Sequence, residues 1–317
     1  MGMNKLMALV AIMTAAGCSD GKREAAEVAP DGSERPLVYT SNYPLQYFVE
    51  RIATPMVDVR FLVPADEDPA YWKPDPKDVT AMQKANLIVL NGASYEAWLE
   101  NVSLPPSRMV VTTDGLRDRL IPLEKDTTHS HGLEGEHEHS GTAFTTWLDP
   151  SLAAAQAGAI EDALAASWPQ HSDRFEAQLA ALTQELTALD AGAQEAVAGN
   201  PELPVLFSHP VYQYLAEHYR LNARSVHWEP GRMPDEAAWQ ELRTILRDFP
   251  APWMIWEDTP LPEIRERLES AGIRSVVFDP CATTPAGGDF LSVMEKNLEA
   301  LRVVFAGDGN HLHGGTR

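Results

Sequence analysis

Strand-like and helix-like segments alternate along this chain, and the alternation runs through twice. The apolar runs "LVYTS" (Leu37–Ser41), "VDVRFLVP" (Val57–Pro64), "NLIVLNG" (Asn86–Gly92) and "RMVVTT" (Arg108–Thr113) read as strands, and segments such as "DPKDVTAMQKA" (Asp75–Ala85) between them read as amphipathic helices. The pattern resumes with "PVLFSH" (Pro204–His209), "WMIWED" (Trp253–Asp258) and "RSVVFDP" (Arg274–Pro280). Strand and helix in turn imply a mostly parallel sheet with helices on both faces. The predicted fold class is therefore α/β, with two lobes, each a mostly parallel sheet flanked by helices.

Between the halves lies Ser151–Ala193, rich in alanine and leucine. Phe175, Leu179, Leu182, Leu186 and Leu189 fall at steps of four and three, which lines one face of a helix. Pro169 is expected to start this helix, because proline is tolerated only in a helix's first turn. From there to Ala193 it would run roughly 37 Å, a stiff connector and a poor hinge. The two lobes are thus joined by one long rigid helix. Expected boundaries are an N-terminal lobe over 36–150, a helical region over 151–200, a C-terminal lobe over 201–306 and a flexible tail over 307–317. A chain of 317 residues, 44% of them hydrophobic, can bury a core in each lobe.

The first eighteen residues carry a targeting signal. Lys5 precedes the apolar "LMALVAIMT" (Leu6–Thr14), too short to span a bilayer as a mature helix, and "AAGC" (Ala15–Cys18) follows. The small residues ahead of cysteine resemble a bacterial lipobox, in which Cys18 is lipidated and becomes the mature N-terminus; residues 19–35 then form a polar tether. With Cys18 lipidated, Cys281 has no disulfide partner. The expected place is the outer side of a bacterial cytoplasmic membrane, periplasmic or at the cell surface, held by lipid. A formal charge of −21 argues against nucleic-acid partners, which require basic patches, and suits a protein that handles cations or neutral ligands.

In open α/β sheets ligands bind beyond the carboxyl ends of strands. The second half offers three groups there that can ligate a metal: His209 after "VLFS", Glu257 after "WMIW" and Asp279 after "SVVF". Each has an ordinary alternative, since strand-end carboxylates often cap helices and a histidine is often a hydrogen-bonded core residue. The first half offers Ser41, Asn42, Tyr43, Pro64, Asp66, Glu67, Asp68, Asn91 and Gly92, a polar set without histidine. Imidazole on that side must come from "THSHGLEGEHEHSG", within the loop 126–141, which packs four of the chain's ten histidines (His129, His131, His137, His139) into eleven positions. Neutral imidazole is the usual nitrogen donor for zinc, and the neighbouring Glu134, Glu136 and Glu138 attract cations.

Over nearly all of Pro36–Phe305 the chain resembles the metal-binding cluster (cluster A-I) of ABC-transporter solute-binding lipoproteins, which deliver zinc or manganese to an importer. The motifs are "SNYPLQYFVERIA" (Ser41–Ala53), "PADEDPAYWKPDPKDV" (Pro64–Val79), "ANLIVLNGASYEAWLE" (Ala85–Glu100), the histidine-rich loop before "WLDP" (Trp147–Pro150), "SHPVYQYLAEHYRL" (Ser208–Leu221) and "FDP" (Phe278–Pro280). The resemblance implies two α/β lobes on one long helix, with the metal between them. Members commonly hold the metal with a histidine in a "DPHxYxPxPxD"-like segment, a second in a "PHxWLDP"-like segment, a third position that is His or Glu, and a late Asp. Here Ala70 and Thr145 occupy the first two positions, while His209 and Asp279 fill the others. This is a divergent member lacking two usual histidines.

Two protein ligands are too few for a closed zinc site, which draws three or four. Three routes remain open. Loop histidines, His139 and His137 foremost with His129 and His131 as accessory capture groups, replace the missing pair. Alternatively, the site shifts to Glu257, Glu229, His227 or Asp66–Asp68. In the third, the solute is a metal carried by a small chelator, or a non-metal, with Trp72, Trp147, Trp228 and Tyr212 lining an aromatic cleft. Imidazole favours Zn2+ over Mn2+, with Cu2+ and Ni2+ left open. The expected protein is a monomeric solute-binding component serving an ABC permease. The rival readings are a hydrolytic metalloenzyme with zinc on His209, Glu257 and Asp279, which lacks an "HExxH" motif, and a periplasmic metal buffer or chaperone; no nucleophile with its base is visible, and no reaction is expected.

Overall fold

The structure, a computed structural model, describes residues 35–64, 67–123, 128–130, 136–138 and 141–306, the two three-residue segments by backbone alone. In the first half, strands β1 (Leu37–Thr40), β2 (Asp58–Phe61), β3 (Leu87–Leu90) and β4 (Met109–Val111) form a parallel sheet in the order β2-β1-β3-β4. Helix α1 (Tyr43–Ala53) follows β1 and α2 (Pro76–Lys84) follows β2. Asn42 caps α1 by accepting the Leu45 amide, and Asp75 with Asp78 forms a reciprocal capping box on α2, so both helix starts are set by local sequence.

Across the base of the histidine-rich loop, Pro122 bridges Thr142, and beyond that base lies a short antiparallel ribbon of β5 (Thr128–Ser130) and β6 (Glu136–Glu138). Helices α3 (Pro150–Ser167) and α4 (Ser172–Ala198) then lead to the second sheet. That sheet contains β7 (Val205–Phe207), β8 (Ala223–Ser225), β9 (Trp253–Trp256) and β10 (Arg274–Val277), all parallel, ordered β10-β9-β7-β8. Its helices are α5 (Gln213–His218), α6 (Glu236–Asp248), α7 (Pro262–Ser270) and α8 (Phe290–Phe305). Read from its second strand, each sheet has the order second, first, third, fourth. The fold class expected from the alternation is therefore found, with one topology used twice.

Two details differ from the expectation. Pro169 does not open the long helix: Pro169–His171 make a 3-10 turn and α4 starts at Ser172. Pro169 stands in the first turn of that 3-10 segment, just past the Trp168 amide that bonds back to Leu164 and ends α3, so the segment takes up the change of direction before α-helical hydrogen bonding begins at Ser172. Strand β8 gave no sequence signal, because it is a three-residue edge strand with a largely exposed face.

At 27 residues α4 spans about 40 Å. It packs against α1, α3 and α8, with Phe175, Leu182 and Leu186 buried and Leu179 and Leu189 partly buried against the core, the face that the spacing indicated. The chain from Pro36 onward forms one compact unit. One hydrophobic cluster runs from Val38 and Val89 of the first sheet through Leu182 of α4 to Val205 and Ile255 of the second, and this continuity fixes where the two sets of strand ends meet.

Candidate metal centre

In each sheet the strand order reverses between the first and third strands, and the carboxyl ends of those two strands open on a crevice. In the second sheet these are β7 and β9. His209 lies two residues beyond β7 and Glu257 one residue beyond β9, which brings His209 Nδ1 within 3.3 Å of Glu257 Oε1. Asp279 follows β10 at the same level. Its main chain is clamped by Asn297, whose Oδ1 accepts the Asp279 amide at 2.9 Å and whose Nδ2 donates to its carbonyl at 2.7 Å. Its Oδ1 accepts the Cys281 amide at 2.7 Å.

The same crevice in the first sheet is closed by hydrogen bonding. Past β1 and β3 stand Asn42 and Asn91, both fully buried. The Asn91 amide donates to Glu96 Oε1, and its side chain donates to Phe144 O and accepts from Gln156. Glu96 also accepts the Gly92 amide; burial raises its pKa, and the hydrogen bonds from Ser41, Gly92 and Asn91 act against that rise. Asn42, Asn91 and Ser41 are thus structural, and the first lobe reaches the crevice with its loops instead.

A cavity of about 300 Å³ lies between these loops and the second sheet's strand ends. Ala70 and Thr145 face it from the first half, and His209 and Asp279 from the second. The four positions that the motif comparison singled out do converge, and two of them carry no metal donor. The Ala70 amide donates to Asp68 Oδ1 at 2.9 Å. Thr145 Oγ1 donates to Val211 O across the lobes at 2.5 Å, so its hydroxyl closes the wall. Trp147 joins the lobes alike, its indole N–H donating to Pro280 O at 2.7 Å.

Carboxylates make up most of the remaining polar lining: Glu67, Asp68, Glu229 and Glu257. Burial, reinforced by Glu229, Asp68 and Asp279, pushes Glu257 up to about 8. Asp279 is also raised by burial, against the pull of the Cys281 amide, and Tyr71 is raised by burial and then by Asp68, Glu257 and Glu229. Concentrated negative charge in a partly desolvated pocket with an imidazole is the electrostatic setting that a divalent cation relieves. Among the described residues, no three His, Cys, Asp or Glu side chains make a complete metal shell as they stand.

His227 stacks edge-on to His209 with ring centroids 6.1 Å apart, but its side chain is exposed and does not line the cavity. Of the expected aromatic cleft only Trp147 lines this cavity. Trp228 packs on Trp239 in the cluster on one face of the second sheet, and Tyr212 is buried in the main core on the opposite face with its hydroxyl on Phe278 O, so neither ring reaches the cavity. Cys281 is a buried free thiol. His129 and His137 pair as backbone partners in the ribbon, while His131, His139, Asp66 and Cys18 lie outside the described residues. Sequence reasoning missed Tyr71 and Tyr95 as wall residues. They sit on loops, where spacing carries no orientation; the "PAYW" and "ASYEAW" aromatics were the available signal.

The family model described as "Zinc-uptake complex component A periplasmic" matches residues 38–304. "Zinc-binding lipoprotein AdcA" of Streptococcus pneumoniae is 27% identical over 276 residues, covering 84% of this chain and 55% of the relative. "High-affinity zinc uptake system protein ZnuA" of Bacillus subtilis is 24% identical over 283 residues, covering 84% of this chain and 86% of the relative. Among solved structures, Zn(II)-bound AdcA of S. pneumoniae superposes with TM-score 0.73 at 23% identity, over 87% of this chain and 58% of that one. The metal-dependent lipoprotein YcdH of B. subtilis gives 0.74 at 21%, over 86% and 100%. The chain thus spans about half the length of the first of these relatives.

Proposed function

The chain belongs to the family of periplasmic zinc-uptake component A, and from that premise we propose that it is the solute-binding component of an ABC importer, capturing a divalent transition metal, zinc foremost, and passing it to a permease. The observation that carries this reading is the pairing of His209 with Glu257 at 3.3 Å in the inter-lobe cavity that Asp279 also lines. Those three side chains are the protein's fixed donors. Mn2+, Cu2+ and Ni2+ compete for the same nitrogen and oxygen donors according to availability.

The histidine-rich loop completes the shell for a bare ion. Its base is tied by the Leu123 amide on Gly141 O at 2.9 Å and the Ala143 amide on Ile121 O at 2.8 Å, immediately before Phe144 and Thr145 in the cavity wall. His137 and His139 thereby take the parts that Ala70 and Thr145 cannot play, and His129 and His131 serve as outer capture groups. Cys18 carries the lipid anchor, and the chain acts as a monomer on the outer side of the cytoplasmic membrane. No helix among the described residues is long and apolar enough to cross a membrane. The cargo is bound and released unchanged, so no reaction is assigned.

Calorimetric titration of the tag-free protein with zinc tests the assignment. One ion should bind per chain, and His209→Ala or the double change His137→Ala/His139→Ala should each weaken binding roughly a hundredfold. An unchanged dissociation constant in His209→Ala removes the cavity site; in the loop variant it removes the loop donors alone.

A further inference from the structure

Resting on the reading that the inter-lobe cavity holds a metal, we infer that the protein also takes zinc already held by a small, flat organic chelator, whose body fills a second cavity beside the first. That second cavity has about 540 Å³ of space, within the range of small-molecule sites. It shares Ala70, Tyr71, Tyr95 and Phe144 with the metal cavity, so the two adjoin across those residues.

Its walls are aromatic and already set. Trp72 meets Trp98 edge-to-face with centroids 6.1 Å apart, and Tyr95 meets Phe144 in the same manner at 5.2 Å. Rings held this way offer faces and edges to a planar ligand without an ordering cost at binding. Lys73 and Glu100 stand on the same wall and give it a polar edge. Holding a bare ion makes no use of such a space, because the donors of that ion are His209, the cavity carboxylates and the loop histidines.

Ala70 connects the two cavities physically. An imidazole there would ligate the metal and fill part of the passage between the cavities; the methyl group lines the shared wall, offers no donor and takes up less of that space. Thr145, the other position without a metal donor, has its hydroxyl engaged on Val211 O. The coordination positions on that side are therefore open to donors that arrive with the cargo. A bare ion draws them from the loop, whereas a chelated ion brings its own and leaves His209 and a carboxylate to take the sites the chelator leaves free.

The two cargoes can be separated experimentally. The full chain is titrated with zinc chloride and with 1:1 zinc complexes of pyridine-2-carboxylate, pyridine-2,6-dicarboxylate and 1,10-phenanthroline. Alongside the wild type, Ala97→Trp fills the second cavity from an exposed position in its wall, so the fold is spared. At least one complex should bind about tenfold or more tighter than zinc alone, and Ala97→Trp should remove that advantage while shifting bare-zinc affinity less than about twofold. The double change His137→Ala/His139→Ala should weaken bare zinc and leave the complex unaffected. If all three complexes bind no tighter than zinc, or Ala97→Trp leaves their affinity unchanged, the inference is overturned while the metal site stands. If His209→Ala changes neither cargo, the metal reading itself fails.

Discussion

At the scale of single residues, Glu257 links the site to pH. Its carboxyl group, pushed up to about 8 by burial and by Glu229, Asp68 and Asp279, holds a proton at pH 7 when no metal is present. A cation needs the ionised form, so binding must expel that proton. Zinc affinity should therefore fall about tenfold per pH unit below 8 and level off above it. Calorimetry at pH 7 in buffers of different ionisation heat should count close to one proton released, and Glu257→Gln should lose that release; a proton count unchanged in the variant would refute the role. The sign for stability follows from the same shift. The folded state binds this proton more tightly than the unfolded chain does, so the contribution is complete below the ordinary carboxylate range and disappears as pH rises through about 8. Which residues point at the cavity was only partly legible. His209, Glu257 and Asp279 follow short apolar strands, and a strand end in an open α/β sheet has a known direction. Glu229 enters the sequence reading only as one of several alternative donors and Tyr71 not at all, since both lie on longer connections, whose path is set by packing and not by period. Trp228 and Tyr212 misled because aromatic content does not say which side of a sheet a ring takes.

Among the elements, the start of α3 carries more than its sequence suggests. "WLDP" stood out as a motif, and the structure gives its Asp149 two tasks. Asp149 Oδ1 caps the helix by accepting the Ser151 amide at 2.8 Å and the Leu152 amide at 3.3 Å. Its Oδ2 meets Arg119 at 3.2 Å and His218 Nδ1 at 3.2 Å, and the opposite ring nitrogen of His218 reaches Asp190 of α4 at 2.8 Å. One carboxylate thus ties the first lobe, α4 and the second lobe's α5. Asp149→Asn keeps the capping oxygen and loses the charge, and should cost about 1 kcal/mol; Asp149→Ala loses both and should cost about 2–4 kcal/mol, read as a shift of the urea midpoint. Equal losses in the two variants would show that the cap contributes nothing. The Asn or Asp before a helix is visible in sequence, as Asn42, Asp75 and Asp149 are. The bond from Asp149 through His218 to Asp190 joins residues far apart in the chain, and no local pattern announces it.

At the level of the whole molecule, the two sheets share a topology but not a separate existence. The main hydrophobic cluster includes strand residues of both sheets, α1, α3, α4 and α8, with no break at the middle of the chain. Between the lobes, Tyr43 N donates to Ala282 O at 3.0 Å and Tyr214 hydroxyl to Ala143 O at 2.9 Å, in addition to the Thr145 and Trp147 bonds. The alternating sequence pattern reads as two lobes, since periodicity reports each sheet and not the packing between them. Separate lobes on a flexible link would melt independently. A continuous core around a rigid 27-residue helix predicts the opposite. Differential scanning calorimetry of the metal-free protein should show one transition, with calorimetric and van't Hoff enthalpies in a ratio near 1. Zinc should raise its midpoint without splitting it, because an ion bound between the lobes stabilises both together. Two resolved transitions, with only the later-melting one moved by zinc, would mean that the lobes fold apart and that His209, Glu257 and Asp279 bind the ion without the first half of the chain.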